Sequence, residues 1–405
     1  MNYSKSLSTA IVAALGLAAL STASAATLQP PPGATKGFNK QVMSILPRGY
    51  QLTQGKNPLQ IPRASVVNAA NSPLNDPFAP LVNGYNKFNF SNYTSGGSYF
   101  GPGPVMTGVK HIYYIWYGNW SGNTAPTILS RFAQALGSSK YMNILSTYTN
   151  FNGQKMNNLI TLGGQTYDNY SQGTLLSDNG VEAVVANAIQ SGRLPMDANG
   201  VYFVLTSADV MQGTAYYLGA PVSNNYFVPG GYVYGFCNQY CGWHTDGLHM
   251  GATDIKYAFV GDGDACKAIV GYNSCYAQTT SPNGNAGADG MASVIAHEFE
   301  ESATDPVVGT GWNGYDWSYY QGYENGDQCA WRFGVKTGDV FMTLSGGYAN
   351  MVLGGHDYLI QKNAVIMDPN GYASYGYPGL QNWFNWYYGS SYTGGTTDYC
   401  SLHYP

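Results

Sequence analysis

The stretch Ala288–Pro306 constrains this chain most. Its periodicity predicts one amphipathic helix that carries His297, Glu298 and Glu301 in an H-E-x-x-E pattern and is ended by Thr304-Asp305-Pro306. With 3.6 residues per turn, Met291, Ile295, Phe299 and Ser302 fall on one side, and His297 and Glu301 stand side by side at the edge of that apolar stripe. Glu298 lies nearby, whereas Glu300 is expected to point away and meet water.

That pattern carries a possible chemistry. An imidazole and a carboxylate spaced i, i+4 can hold one zinc ion, and a second carboxylate beside the metal can take a proton from bound water. The familiar form of the device is H-E-x-x-H; Glu301 replaces the second histidine and keeps the geometry. A catalytic zinc also needs a third protein ligand and an open position. Calcium and manganese remain alternatives to zinc, because an oxygen-rich ligand set suits harder ions. The plain alternative is a helix end with exposed acids.

The N-terminus predicts export. Lys5 gives a positive start, Leu7–Leu20 is an apolar run too short to span a bilayer, and Ala23-Ser24-Ala25 offers small residues to a signal peptidase. Residues 1–25 therefore read as a signal peptide and the mature chain as secreted, to the extracellular space, cell surface or periplasm. An uncleaved anchor is the competing reading. No later stretch is long and apolar enough to cross a membrane. The six cysteines, all in the second half, favour disulfides in an exported chain. A local Cys266–Cys275 closure is expected, and Cys237 and Cys241 are expected in disulfides rather than on zinc. Only 10% of the 405 residues are charged, for a net charge of −5, and there is no basic run, which excludes electrostatic nucleic-acid binding.

Residues 26–104 are rich in Pro, Asn and Gly and read as an extended leader. The globular part spans 105–367. His111–Tyr117 and Val201–Leu205 read as buried strands, Pro126–Leu136 and the Val181–Ile189 region as helices, and Tyr141–Tyr148 as a short helix. Strands at Leu159–Leu162, Ala215–Leu218, Tyr232–Phe236 and Ile255–Val260 complete an α/β fold, a mixed central sheet flanked by helices, with a strand at Tyr358–Gln361. Asp262-Gly263-Asp264 reads as a plain turn and Asp305 as a turn-former. Residues 368–405 form an aromatic, loop-rich tail in which Trp383–Tyr388 would stack on sugar rings or pack on the domain.

Six blocks resemble the exordium, or phosphate-induced protein 1, family: His111–Trp120, Tyr202–Val210, Gly235–His244, Tyr257–Gly261, Pro282–Pro306 and Glu324–Cys329. They follow the family's order across 105–361. Phe299 and Asp305-Pro306 stand where plant members often carry leucine and Asn-Pro. The resemblance implies secretion and brings no enzymatic activity with it. It singles out Glu324 and Asp327, beside the tight Gly326 turn, as the best third metal ligands, with His244 the second choice. Two functions follow. One is a zincin-like metallohydrolase acting on peptides, with Glu298 as base and His297, Glu301 and Glu324 or Asp327 on zinc. The other is a non-catalytic protein of the cell surface that binds cell-wall glycan, with the H-E-x-x-E cluster structural.

Overall fold

The computed structural model describes residues 104–150, 152–217, 220–221, 232–312, 314–316, 321–333, 340–365 and 400–402. The expected signal peptide, nearly all of the expected leader and the tail segment Trp383–Tyr388 lie outside them.

The elements appear in the order β1 (Lys110–Tyr117), α1 (Ala125–Leu136), a 3-10 helix at Met142–Thr147, β2 (Ile160–Asp168), β3 (Leu175–Leu176), α2 (Asp178–Gln190) and β4 (Gly200–Thr206). Then follow β5 (Met211–Tyr217), β6 (Ala220–Pro221), β7 (Tyr232–Gly235), β8 (Gly242–Met250), β9 (Thr253–Gly261), the short α3 (Cys266–Val270) and α4 (Ala286–Thr304). The central sheet runs β2-β1-β4-β9-β8. Its first four strands are parallel and β8 is antiparallel to β9, so the sheet is mixed as expected.

The aromatic and β-branched run in β1 and the unbroken apolar run VYFVL in β4 suit inner strands covered on both faces. On one face, Trp116 and Ser130 of α1 share Gln165 Oε1. On the other, Tyr113 stacks on Tyr202, and the Tyr257 hydroxyl reaches Glu182 of α2. α4 packs on α1, β4, β8 and β9.

Two strands expected to extend this sheet do not. β5 and β7 pair with each other, Gly213 opposite Gly235, in a second small sheet with β3 and β6. Both edges of β4 are already taken by β1 and β9, and the turn at Ser207–Val210 leads the chain away. The β8 edge instead comes from Gly242–Met250, whose glycines, polar residues and bulge near Thr245 hide its strand character. The expected strand at Tyr358–Gln361 is a hairpin arm, His356–Tyr358, paired with Met351–Leu353.

The disulfides are Cys237–Cys266 and Cys241–Cys275, which corrects the expected Cys266–Cys275 closure. α3 starts at Cys266, and the chain between the two partners directs both onto the turn before β8 rather than onto each other. Cys329 is disulfide-bonded as well. Asp262 accepts from the Asp264 N–H in the expected turn. No helix among the described residues is long and apolar enough to cross a membrane.

Candidate metal centre

α4 begins where Asn285 caps it, its side chain accepting from the Ala288 N–H. It ends where Asp305 accepts from the backbone N–H groups of Gly309, Thr310 and Gly311, so that Asp305 forms the turn. Every residue from Gly287 to Thr304 is buried. Glu300, expected in water, is 0% exposed and faces Tyr141. The amphipathic pattern marks a helix that one neighbour covers; here sheet, α1 and the returning loops enclose all sides. The acids of the H-E-x-x-E stretch are therefore not an exposed helix end.

Around His297 Nε2 converge Glu301 Oε1 at 3.0 Å and Asp327 Oδ1 at 3.5 Å. Asp327 comes in on the loop after Tyr323, and its backbone N–H donates to Glu301 Oε1 at 3.0 Å. Gly326 makes this approach possible. A Cβ there would stand 2.7 Å from both Glu301 Oε1 and His297 Nδ1. Behind the ring, the Gln361 amide lies 2.6 Å from His297 Nδ1 and also reaches the Gly326 carbonyl.

His244 reaches the same helix from β8. Its Nδ1 lies 3.1 Å from Glu298 Oε2 and 3.5 Å from Glu301 Oε2, and its Nε2 lies 3.2 Å from Glu324 Oε2. Gly242 lets β8 close on α4, since a Cβ there would meet Val294 at 2.5 Å. Glu324 and Asp327, interchangeable candidates in the sequence, thus face different histidines. Gln361 carried no sequence signal at all, and His244 was legible only as a lower-ranked candidate.

His244, His297, Glu298, Glu301 and Glu324 have side chains 0–1% exposed, and Asp327 is 8% exposed. Among the described residues no lysine or arginine forms an ion pair with them. His244 Nε2, His297 Nε2, Glu298 Oε1, Glu301 Oε2 and both Glu324 carboxylate oxygens are buried without a hydrogen-bond partner. Buried charge left in this condition costs several kcal/mol per group unless it is neutralised or paired. Without a cation the groups respond by holding protons. Burial alone would lower the His244 ring, but the Glu298 carboxylate that accepts its hydrogen bond and the neighbouring Glu301 carboxylate push it up to about 10. Burial lowers His297 too, and the Glu301 charge outweighs it and raises the ring well above its ordinary value. Burial raises Glu298, and burial with repulsion from Glu301 raises Glu324 and Asp327. Glu301 runs the other way: burial would raise it, but the His297 charge holds it below the usual carboxylate range.

The architecture is thus a disulfide-bonded, mixed α/β domain with a buried histidine–carboxylate centre. The family profile described as "Phosphate-induced protein 1 conserved region" matches residues 99–215 and 230–366, and the chain belongs to that family. The chain is similar to three Arabidopsis thaliana proteins. It is 29% identical to Protein EXORDIUM-like 3 over 308 residues, covering 69% of this chain and 82% of the relative. For Protein EXORDIUM-like 5 the identity is 28% over 350 residues, covering 78% and 86%. For Protein EXORDIUM-like 1 it is 26% over 306 residues, covering 66% and 85%. No solved structure matches the chain significantly.

Proposed function

We propose that this chain is an exported member of the exordium family organised around a buried zinc centre at His297, Glu301 and Asp327. The ion's role is to bind α4 to the loop that follows Tyr323, and the protein acts outside the cell as a binding protein. The observation that carries this reading is the meeting of His297 Nε2, Glu301 Oε1 and Asp327 Oδ1, from a helix and a distant loop, at separations of 3.0 and 3.5 Å in a place closed to solvent. Ligands about 2.0–2.1 Å from a zinc ion in tetrahedral array stand roughly 3.3 Å apart, which these contacts match. The Cys237–Cys266 and Cys241–Cys275 disulfides and the bonded Cys329 support an oxidising compartment. Cell-wall glycan is the partner class that the aromatic tail suits. Retention of the full chain on insoluble cell-wall polysaccharide, reduced in Trp383→Ala/Trp386→Ala, would support it.

Metal content by mass spectrometry, on protein purified without affinity-tag metals, tests the centre. Zinc in the wild type that disappears in His297→Ala, with a chelator-induced fall in Tm, is the expected result. No metal in either protein, even after zinc is added, would sink the reading.

A hydrolase with Glu298 as general base is the second reading. It is favoured by the raised Glu298 carboxyl and its Oε1, which has no hydrogen-bond partner. Complete burial of the group speaks for the structural role. Screening peptide substrates with wild type and Glu298→Gln separates the two, since only the hydrolase loses a turnover while keeping His297-bound metal.

A further inference from the structure

We infer that the centre is built for two divalent cations bridged by Glu301. This rests on the metal-centre reading above and adds a second position, held by His244, Glu298 and Glu301. The two sets of potential ligands, His297–Glu301–Asp327 and His244–Glu298–Glu301, share only Glu301. Each uses a different oxygen of it: Oε1 lies 3.0 Å from His297 Nε2, and Oε2 lies 3.5 Å from His244 Nδ1. A carboxylate that offers one oxygen to each of two metal positions is the bridge of two-metal sites, whose ions stand about 3.5–4 Å apart.

The second position has the marks of a ligand set in its own right. His244 Nδ1 stands 3.1 Å from Glu298 Oε2 and 3.5 Å from Glu301 Oε2, against 3.0 and 3.5 Å in the first position. Beyond the ring, Glu324 Oε2 lies 3.2 Å from Nε2. A carboxylate beside the far nitrogen is the usual support for a metal-bound histidine. Glu301 Oε2, 3.5 Å from His244 Nδ1, is buried with no hydrogen-bond partner.

Charge points the same way. Glu298, Glu301, Glu324 and Asp327 form no ion pair with lysine or arginine among the described residues. Together the two ligand sets hold three carboxylates, Glu298, Glu301 and Asp327, more negative charge than one divalent cation balances when both rings are neutral ligands. The set of imidazole and carboxylate suits zinc or manganese. In this arrangement Glu298 is a ligand.

The test uses full-length protein dialysed to equilibrium with zinc, and separately with manganese(II). Two zinc ions per wild-type chain are expected, falling to one in His244→Ala and to one in Glu298→Gln, the latter nearly isosteric in case the alanine variant misfolds. Two bridged manganese(II) ions would give an exchange-coupled electron paramagnetic resonance spectrum, which becomes that of an isolated ion in either variant. One zinc per wild-type chain, kept in both variants and lost in His297→Ala, would overturn the second position while leaving the centre intact. No bound metal in any of them would overturn both.

Discussion

The backbone N–H of Asp327 donates to Glu301 Oε1 at 3.0 Å, across 26 residues of chain. This bond brings the loop to the helix and leaves the Asp327 carboxylate beside His297. It depends on the absence of a side chain at Gly326, where a Cβ would press on Glu301 Oε1 and the His297 ring. Gly326→Ala should therefore destabilise the protein by about 1–3 kcal/mol, the usual range for overpacking a tight interior. The same change should reduce metal retention by displacing Asp327. Paired Tm and metal-content measurements check this; an unchanged metal content would show that Asp327 is not a ligand.

Metal binding should release protons. The His244 ring, pushed up to about 10, is charged at neutral pH in the metal-free protein, and a metal takes it neutral. In the metal-free protein its raised value stabilises the fold fully below its unfolded value of about 6.5 and loses that contribution as pH rises through about 10. Zinc affinity should follow the opposite course, strengthening about tenfold per pH unit for each proton released. Calorimetry of zinc binding in two buffers of different ionisation enthalpy reads the proton count directly. Identical heats in both would contradict the expectation.

The start of α4 is held by Asn285, which caps the helix and also donates to Asn123 Oδ1 and Thr124 Oγ1 at the start of α1. Asn285→Ala should cost about 1 kcal/mol, or somewhat more because it breaks both connections. Denaturant titration would show a lower midpoint at unchanged slope.

Cys241 immediately precedes β8, the strand that carries His244, and its disulfide to Cys275 anchors that end. The double change Cys241→Ser/Cys275→Ser should lower stability by about 2–5 kcal/mol. It should weaken metal binding more at the His244 position than at the His297 position. Metal titration of the two-serine variant, beside wild type, would show equal weakening at both if β8 were held by its sheet pairing alone.

Much of the local structure was written in the sequence. The parallel strands β1 and β4, the helices α1 and α2, and α4 itself lie within three residues of where apolar periodicity predicts them. The reason is that a strand or helix displays its own period whatever surrounds it. The i, i+4 pair His297 and Glu301 was likewise fixed by helix geometry, and family blocks pointed to Glu324 and Asp327. Tertiary structure alone decided the rest. β8 has no clean alternation, so His244, 54 residues before Glu298, could be brought to the centre only by the pairing of β8 with β9. Gln361, 64 residues after His297, arrives with a chain segment whose backbone is tied to Ser293. Glu300 looks solvent-facing on a helical wheel, and the wheel cannot register that α4 is enclosed on every side. Which cysteines bond, and which oxygen of Glu301 faces which histidine, depends on distances between segments far apart in the chain, and no local pattern encodes those distances.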